Sequence, residues 1–176
     1  MEKDLIKKSR YLSKLLRHDP EELKMDKNGW ISVEELCQKV DITTDMLDQI
    51  VEENDKKRFA YDKTHKFLRA SQGHSIEIDV QLKEMMPPDV LYHGTSIEAY
   101  ESIKIVGLTK MKRTHVHLSS DVNTATNVGS RHTKGKQPIV LEIDAKSMYK
   151  SGGKFYLSEN NVWLTDYVPV RYIKML

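Results

Sequence analysis

The first predicted element is an amphipathic helix near the start of the chain. Leu5, Leu12 and Leu16 recur at helical spacing and so fall on one face. Ser9 lies between them on that face. Pro20 ends the helix, because the residue before a proline is pushed out of the helical region. The pattern therefore predicts a helix that packs one apolar face against a core.

Two shorter helices and a hairpin are predicted next. Ser32 followed by Glu35 is a capping box, which predicts a helix that runs to Val40, and Thr43 or Thr44 caps another helix. The strand-like runs are WIS after a KNG turn, RFAY at 58–61 and KFLRA at 66–70. Helices followed by a hairpin favour a winged-helix lobe.

Residues 71–88 form the predicted connection between two lobes. They include the alternating run IEIDV at 76–80, which predicts a strand, and then MMPP at 85–88. Two consecutive prolines stiffen the chain and interrupt both helix and central strand. We therefore place one lobe at residues 1–86 and the other at residues 87–176.

The second lobe mixes short strands with helices. Helices are predicted near 97–105 and 121–129. The predicted strands are VLYH, HVHLS, PIVLEID, KFYL, VWLT and RYIKM. This mixture, with hairpins in its last third, predicts an α+β fold.

Composition limits the class of protein. No apolar run approaches the roughly 18 residues of a membrane helix, and no secretory signal is visible, so a cytoplasmic protein with no membrane association is expected. Cys37 is the only cysteine, which excludes an internal disulfide and a thiolate metal cluster. It lies among apolar helix residues and is interpreted as a packing residue.

The charge is divided unevenly along the chain. Residues 1–86 carry 16 basic and 18 acidic groups, whereas residues 87–176 carry 12 basic and 8 acidic groups. Six acids between 41 and 55, without a Lys or Arg, would repel nucleic acid, which argues against a third helix that enters a DNA groove. Residues 104–136 instead hold seven Lys or Arg against Asp121 alone, a pattern that attracts phosphate, although it also fits a solvated basic loop.

The run YHGTS at 92–96 is a candidate ligand site. Gly94 permits a close backbone approach to a ligand. Glu98 lies three residues past Thr95, which predicts a capped helix whose free N–H groups can bind an anion.

Paired histidines give two further interpretations. His115 and His117 fall on one face of a strand and could bind Zn²⁺, but no third ligand accompanies them at useful spacing. The runs HGT and HLS also fit the H-x-T/S pattern of the 2H phosphoesterases, in which two histidines act as acid and base. Those motifs belong to two pseudo-symmetric halves, whereas His93 and His117 lie 24 residues apart without a detectable repeat.

Other candidate cations lie at helix ends and in a glycine turn. Arg17 with His18, and Arg131, lie at the ends of predicted helices, where they could bind a ligand or only cap the helix end. The run RASQGHS adds three polar residues that could bind a ligand or belong to a plain hairpin exit: Arg69, Gln72 and His74.

A set of motifs, in order along nearly the entire chain, resembles the RNA 2'-phosphotransferase family. This is the tRNA 2'-phosphotransferase type, which is found in fungal tRNA splicing and is also widespread in bacteria. The motifs are LSKLLRHDP, NGWISVEELC, RASQGHSIE, PPDVLYHGTS, MKRTHVHLSSD, VGSRH, VLEIDA and FYLSENNVWLTDYVP. The resemblance implies a winged-helix lobe that binds RNA, joined to a lobe of ADP-ribosyltransferase fold that binds NAD⁺ without metal.

The resemblance also implies roles for individual residues. The essential quartet of the family falls on Arg17, His18, Arg69 and Arg131. The NAD⁺ residues would be His93, Gly94, Thr95, Ser96, His117 and Ser119, with an apolar residue, Val162, at the usual glutamate position. The RNA residues would be Lys14, Gln72, His74 and Arg113. The chain departs from the family where Ser71 replaces an asparagine and Asn161 replaces a glycine, and asparagine tolerates a positive φ.

The implied reaction uses 2'-phosphorylated RNA and NAD⁺, and a monomer suffices for it. The 2'-phosphate attacks the nicotinamide ribose and expels nicotinamide, after which the ribose O2'' attacks phosphorus. A phosphate monoester is largely a dianion at neutral pH, so this nucleophile needs no catalytic base. A metal-free phosphoesterase and a non-catalytic RNA-binding module are the alternatives.

Overall fold

The protein forms two compact units, divided between Gln81 and Leu82. The structure is a computed structural model that describes residues 3–54, 57–133 and 135–176. Each unit has its own buried hydrophobic core. Helices and small antiparallel sheets occur in both, which confirms the α+β class. No helix formed by the described residues combines the length and the apolar character that a bilayer crossing requires.

The first unit places three helices beside one small sheet. The elements are α1 (Lys3–Arg17), β1 (Ile31–Ser32), α2 (Val33–Val40), α3 (Thr44–Glu52), β2 (Phe59–Tyr61) and β3 (Phe67–Ala70). The strands are antiparallel in the order β1-β3-β2. Leu12 and Leu16 of α1 are fully buried and Leu5 nearly so, which confirms the apolar face of the first helix. The hydroxyl of Thr43 accepts a hydrogen bond from the Met46 N–H, so Thr43 is the cap of α3.

Two sequence predictions for this unit are wrong. Ser32 precedes α2, but its side chain makes no capping hydrogen bond, and the Glu35 carboxylate accepts instead from the Lys24 N–H. Ser32 is a strand residue paired with Phe67, which directs its backbone into the sheet. The run 76–80 keeps an alternation of exposure but forms no strand, because no described strand pairs with it.

The second unit contains short strands around three helices. Its elements are β4 (Val90–Thr95), α4 (Ile97–Val106), β5 (Leu108–Thr109), β6 (Val116–Leu118), α5 (Val122–Ser130), β7 (Ile139–Asp144), α6 (Ala145–Lys150), β8 (Tyr156–Leu157), β9 (Trp163–Thr165), β10 (Tyr167–Val168) and β11 (Ile173–Met175). The sheets have the orders β11-β7-β4, β6-β9-β8 and β10-β5. A bridge between Tyr92 and Ser119 joins β4 to the end of β6. This pairing brings the YHGTS and HVHLS runs together.

The beginning and the caps of the second unit differ in detail from the sequence pattern. Glu84 forms a bridge with Tyr156, so the chain joins the second unit before the two prolines. Ser96, and not Thr95, caps α4, because its hydroxyl accepts from the Ala99 N–H. The short helix α6 is absent from the sequence prediction.

Candidate functional site

The first unit brings four predicted site residues together near the end of α1: Arg17, His18, Arg69 and His74. The helix ends at Arg17, and His18 follows it. The loop after β3 is fastened there, since the Ser75 N–H donates to the Arg17 carbonyl at 2.9 Å and the Ser75 Oγ lies 2.9 Å from the His18 Nδ1. The structure thus brings Arg17 and His18 to the loop that carries His74.

Arg69 is held inside this cluster by an aromatic residue. It lies on β3 and is only 8% exposed. Its guanidinium carbon lies 4.4 Å from the centre of the Trp30 ring, a cation–π distance. The sequence prediction omits Trp30, although the β1–β3 register is the signal that places it beside Arg69.

His74 is a buried histidine close to Arg17, His18 and Arg69. It is 1% exposed, and burial lowers its pKa to about 4, with further lowering by the charges of Arg17, His18 and Arg69. It is therefore neutral at pH 7. Within the described residues, its Nε2 and the buried Oε1 of Gln72 have no hydrogen-bond partner. Such atoms are costly to bury unless a ligand or water satisfies them.

Two other polar residues of the first unit make local contacts. The buried Ser71 donates from its hydroxyl to the Lys57 carbonyl at 2.8 Å, which ties the loop to the β2 side of the hairpin. Lys14 forms ion pairs with Glu21 at 3.2 Å and Asp19 at 3.5 Å, and the hydrogen bond to Glu21 is the first cause of its raised pKa. Lys14 is thus ion-paired with carboxylates of its own unit.

The second unit holds a chain of three predicted residues. The His93 Nδ1 lies 2.9 Å from the His117 carbonyl, and because a carbonyl only accepts, this nitrogen donates. Burial, opposed by that hydrogen bond, lowers the pKa of His93, and the positive charges of His132 and Arg113 add to the lowering. Neutral His93 therefore presents its Nε2 as an acceptor. The Arg113 Nη1 in turn donates to the His117 Nδ1 at 2.8 Å.

The glycine and hydroxyls after His93 serve the packing of this unit. A Cβ on Gly94 would lie 1.7 Å from the Ala125 carbonyl oxygen, so the close approach that requires glycine is that of α5. Thr95 is buried and pairs with Ile139, and Ser96 caps α4. A contact of these residues with NAD⁺ stays a prediction.

Several charged residues of the basic stretch 104–136 make local contacts. Asp121, its one acid, caps α5 by accepting from the Thr124 N–H at 2.7 Å. Lys136 pairs with Glu98 at 2.8 Å, and Lys104 pairs with Glu101. Arg131 is the exposed C-cap residue of α5, as its sequence position predicts. Because Glu98 and Glu101 lie outside the stretch but pair with its lysines, the positive charge around these lysines is lower than the composition of residues 104–136 indicates.

His115 and His117 have different neighbours in the described part of the chain. The described residues contain no group of three or more His, Cys, Asp or Glu that could hold a metal ion. His115 lies against the edge of Tyr156 and 3.9 Å from an Asp166 oxygen. His117 has a guanidinium on its Nδ1, and a cation at that nitrogen disfavours a second cation.

Two other expectations concern a turn and a thiol. Asn161 has a φ of 60°, which confirms the positive φ expected where the family has glycine. The carbonyl of the next residue, Val162, accepts from the Ser158 N–H at 3.0 Å, and the Val162 N–H donates to the Ser158 Oγ at 3.0 Å. Cys37 packs against the first core, and burial raises its pKa, so it is a packing residue.

Known proteins resemble the chain along almost its whole length. Residues 3–167 match the family described as RNA 2'-phosphotransferase, Tpt1 / KptA family. A protein of Fusobacterium nucleatum named "Probable RNA 2'-phosphotransferase" is 51% identical over 176 residues, which are 96% of this chain and 97% of that protein. Proteins with the same name from Flavobacterium johnsoniae and Hahella chejuensis are 51% and 48% identical, over 94% and 100% of this chain and 93% and 97% of their own lengths. The chain therefore belongs to the RNA 2'-phosphotransferase, Tpt1 / KptA family.

Proposed function

We propose that this protein removes an internal 2'-phosphate from RNA with NAD⁺ as co-substrate. The reaction passes through ADP-ribosylated RNA and yields RNA 2'-OH, nicotinamide and ADP-ribose 1'',2''-cyclic phosphate. Membership of the family supports an RNA 2'-phosphate as the substrate. The cationic cluster of Arg17, His18 and Arg69 around buried His74 carries the proposal, because it suits a dianionic phosphate.

Arg17 and Arg69 bind the phosphate in this proposal. A planar guanidinium can donate two parallel hydrogen bonds to a phosphate, and the stack on Trp30 limits the motion of Arg69. The same donors stabilise the crowded anionic phosphorus of the second step. Arg131 contributes a third cation to that step.

His18 is the proposed proton donor to the departing 2'-oxygen. Histidine is the side chain that most often transfers a proton in enzymes. The contact of its Nδ1 with Ser75 Oγ fixes the ring orientation. Gln72 and His74 bind the RNA through buried polar atoms that the described protein groups leave unsatisfied.

The second unit binds NAD⁺, which supplies the ribose carbon that accepts the phosphate and the nicotinamide leaving group. The His93 Nε2 fits this ligand, because a neutral acceptor suits a ribose hydroxyl. His117 and Arg113 orient His93 through the hydrogen-bond chain. Gly94, Thr95, Ser96 and Ser119 complete the proposed NAD⁺ surface, and no metal takes part.

The lobes carry fold assignments in the same proposal. We infer that the first unit is a winged-helix lobe, since three helices accompany an antiparallel hairpin. The second unit is an ADP-ribosyltransferase-like lobe, which its small antiparallel sheets and flanking helices support. Lys14 of the first unit and Arg113 of the second are further residues that we propose to contact RNA.

The first experiment measures dependence on NAD⁺. A short RNA with one internal 2'-phosphate is incubated with the protein, with and without NAD⁺. We expect loss of the phosphate only with NAD⁺ and one nicotinamide released per phosphate lost. Phosphate loss without NAD⁺ would instead indicate a phosphoesterase, and intact bound RNA would indicate a binding module.

The second experiment uses Arg131→Ala. If Arg131 serves the second step, this variant accumulates ADP-ribosylated RNA, because the loss of one preorganised donor costs roughly a hundredfold or more in rate. Arg171→Ala, which removes an exposed arginine beside Tyr172 in the same unit, is the matched control. Wild-type turnover by Arg131→Ala would exclude this role.

A further inference from the structure

The outer face of the small sheet in the first unit carries two aromatic side chains beside Arg69. Alternation along β3 sends Leu68 and Ala70 into the core and places Phe67 on the opposite face with Arg69. Trp30 precedes β1 and stacks on Arg69. The face therefore continues outward from the proposed phosphate ligand to Trp30 and then to Phe67.

This face has a shallow depression with an exposed aromatic wall. Asp26, Trp30, Asp62 and Phe67 line it. Phe67 is 44% exposed, and within the described residues of the first unit it is the one large hydrophobic side chain that is exposed. Trp30 and Phe67 thus give the depression an aromatic lining that a planar ring can contact.

The two carboxylates fix the aromatic residues and restrict the ligand. Asp26 Oδ1 accepts from the Trp30 N–H at 2.9 Å, and Asp62 Oδ1 accepts from the Phe67 N–H at 2.9 Å. Four hydrogen bonds, two from Thr64 and one each from the Lys66 and Phe67 N–H groups, lower the pKa of Asp62 to about 2, so it stays charged. Two negative charges repel a phosphate, whereas a nucleobase is neutral and has amino groups that can donate to carboxylates.

We propose that Trp30 and Phe67 form a stacking site for a nucleobase of the RNA, adjacent to the nucleotide whose 2'-phosphate contacts Arg69. The proposal rests on the proposed function, which supplies the RNA and the place of its phosphate. Aromatic side chains are the usual platform for unpaired RNA bases, which can stack on them whatever their sequence. The site accordingly requires an unpaired base next to the 2'-phosphate.

Binding of a fluorescent RNA without NAD⁺ tests this site. The probe is a six-nucleotide RNA with one internal 2'-phosphate and 2-aminopurine at the adjacent nucleotide. We expect its fluorescence to be quenched on binding, and Phe67→Ala to weaken binding about fivefold to a hundredfold. Phe67→Tyr keeps the ring and should restore affinity. Ile105→Ala, at an exposed position of α4, is the control and leaves affinity unchanged.

An abasic probe separates stacking from a change in protein structure. Loss of the adjacent base should weaken wild-type binding, while Phe67→Ala should add no further loss with that probe. An equal loss for both probes, or no quenching at saturation, would overturn the stacking site. Failure of the proposed function appears separately, as phosphate turnover that needs no NAD⁺, and it leaves the fluorescence result readable.

Discussion

At the scale of single residues, each unit contains a histidine whose pKa is lowered mainly by burial. Burial and the nearby Arg17, His18 and Arg69 keep His74 neutral. Burial keeps His93 neutral against the hydrogen bond to the His117 carbonyl, which raises its pKa. A neutral imidazole can accept a hydrogen bond, which an imidazolium cannot. The chain thus combines permanent arginine charges for an anion with neutral acceptors for hydroxyl groups.

The pH dependence of stability should report His74. Its folded pKa of about 4 is below the unfolded value of about 6.5, so between these pH values the unfolded state binds the extra proton. Neutral His74 therefore contributes to the free energy of unfolding. This contribution is complete above pH 6.5 and decreases as the pH falls, by about 3 kcal/mol at pH 4. We expect urea unfolding of His74→Gln to show a shallower loss between pH 6.5 and 4 than the wild type. Equal slopes would mean that His74 titrates normally.

Two substitutions at His93 test its role in NAD⁺ binding, one that removes only the Nε2 acceptor and one that removes both ring nitrogens. His93→Asn keeps a donor near the Nδ1 position, whereas His93→Ala removes donor and acceptor. Because a net hydrogen bond is worth about 0.5–1.5 kcal/mol, both variants should raise the KM for NAD⁺ about threefold to tenfold. Nicotinamide release during NAD⁺ titration measures this, and RNA affinity should stay constant. A KM for NAD⁺ equal to that of the wild type would remove His93 from the NAD⁺ site.

At the scale of elements, the contact between α5 and β4 positions Arg131 and His93 relative to each other. Gly94 on β4 and Gly129 on α5 allow this contact, since a Cβ on either would meet backbone of the other element at 3.0 Å or less. Asp121 caps the start of α5, and Arg131 follows its end. A change in the contact between α5 and β4 would therefore move Arg131 relative to His93.

The two glycines should differ in their sensitivity to alanine. On Gly94 a methyl group would lie 1.7 Å from backbone oxygen, so Gly94→Ala should destabilise the second unit by about 3 kcal/mol or more. Gly129→Ala should cost less, because its contacts are 2.9–3.0 Å and alanine favours the helix. Thermal unfolding measures both, with exposed Ser130→Ala as the control within about 0.5 kcal/mol. Wild-type stability of Gly94→Ala would contradict the close packing.

At the scale of the whole molecule, two hydrophobic cores stabilise one chain. Leu47 is fully buried in the first core and Leu141 in the second. Trp30 belongs to the first unit and Trp163 to the second, so each unit has its own fluorescent reporter. The variants Trp30→Phe and Trp163→Phe each leave one reporter.

Core truncations should affect the two reporters unequally. Leu47→Ala should cost about 2–5 kcal/mol, with the larger shift of the urea midpoint in the transition that Trp30 reports. Leu141→Ala should give the reverse pattern. Equal shifts for both tryptophans would instead mean that the chain unfolds in one cooperative transition.

The sequence by itself determined the features that depend on near neighbours in the chain. Helical spacing predicts α1, Thr43 caps α3, the hairpin runs form β2 and β3, and Asn161 has the positive φ expected at its turn. The motifs also predict the family correctly. These features are readable because periodicity, caps and turns require only residues a few positions apart.

Tertiary structure alone decided the features that depend on distant partners. Ser32 is drawn into a strand, the run 76–80 has no described strand to pair with, and Gly94 is required by a helix about 30 residues further along the chain. The stack of Trp30 on Arg69 and the chain from Arg113 through His117 to His93 likewise follow from strand register. The physical reason is that hydrogen bonds, steric contact and burial act between atoms in space, so local residue patterns cannot specify which distant groups meet.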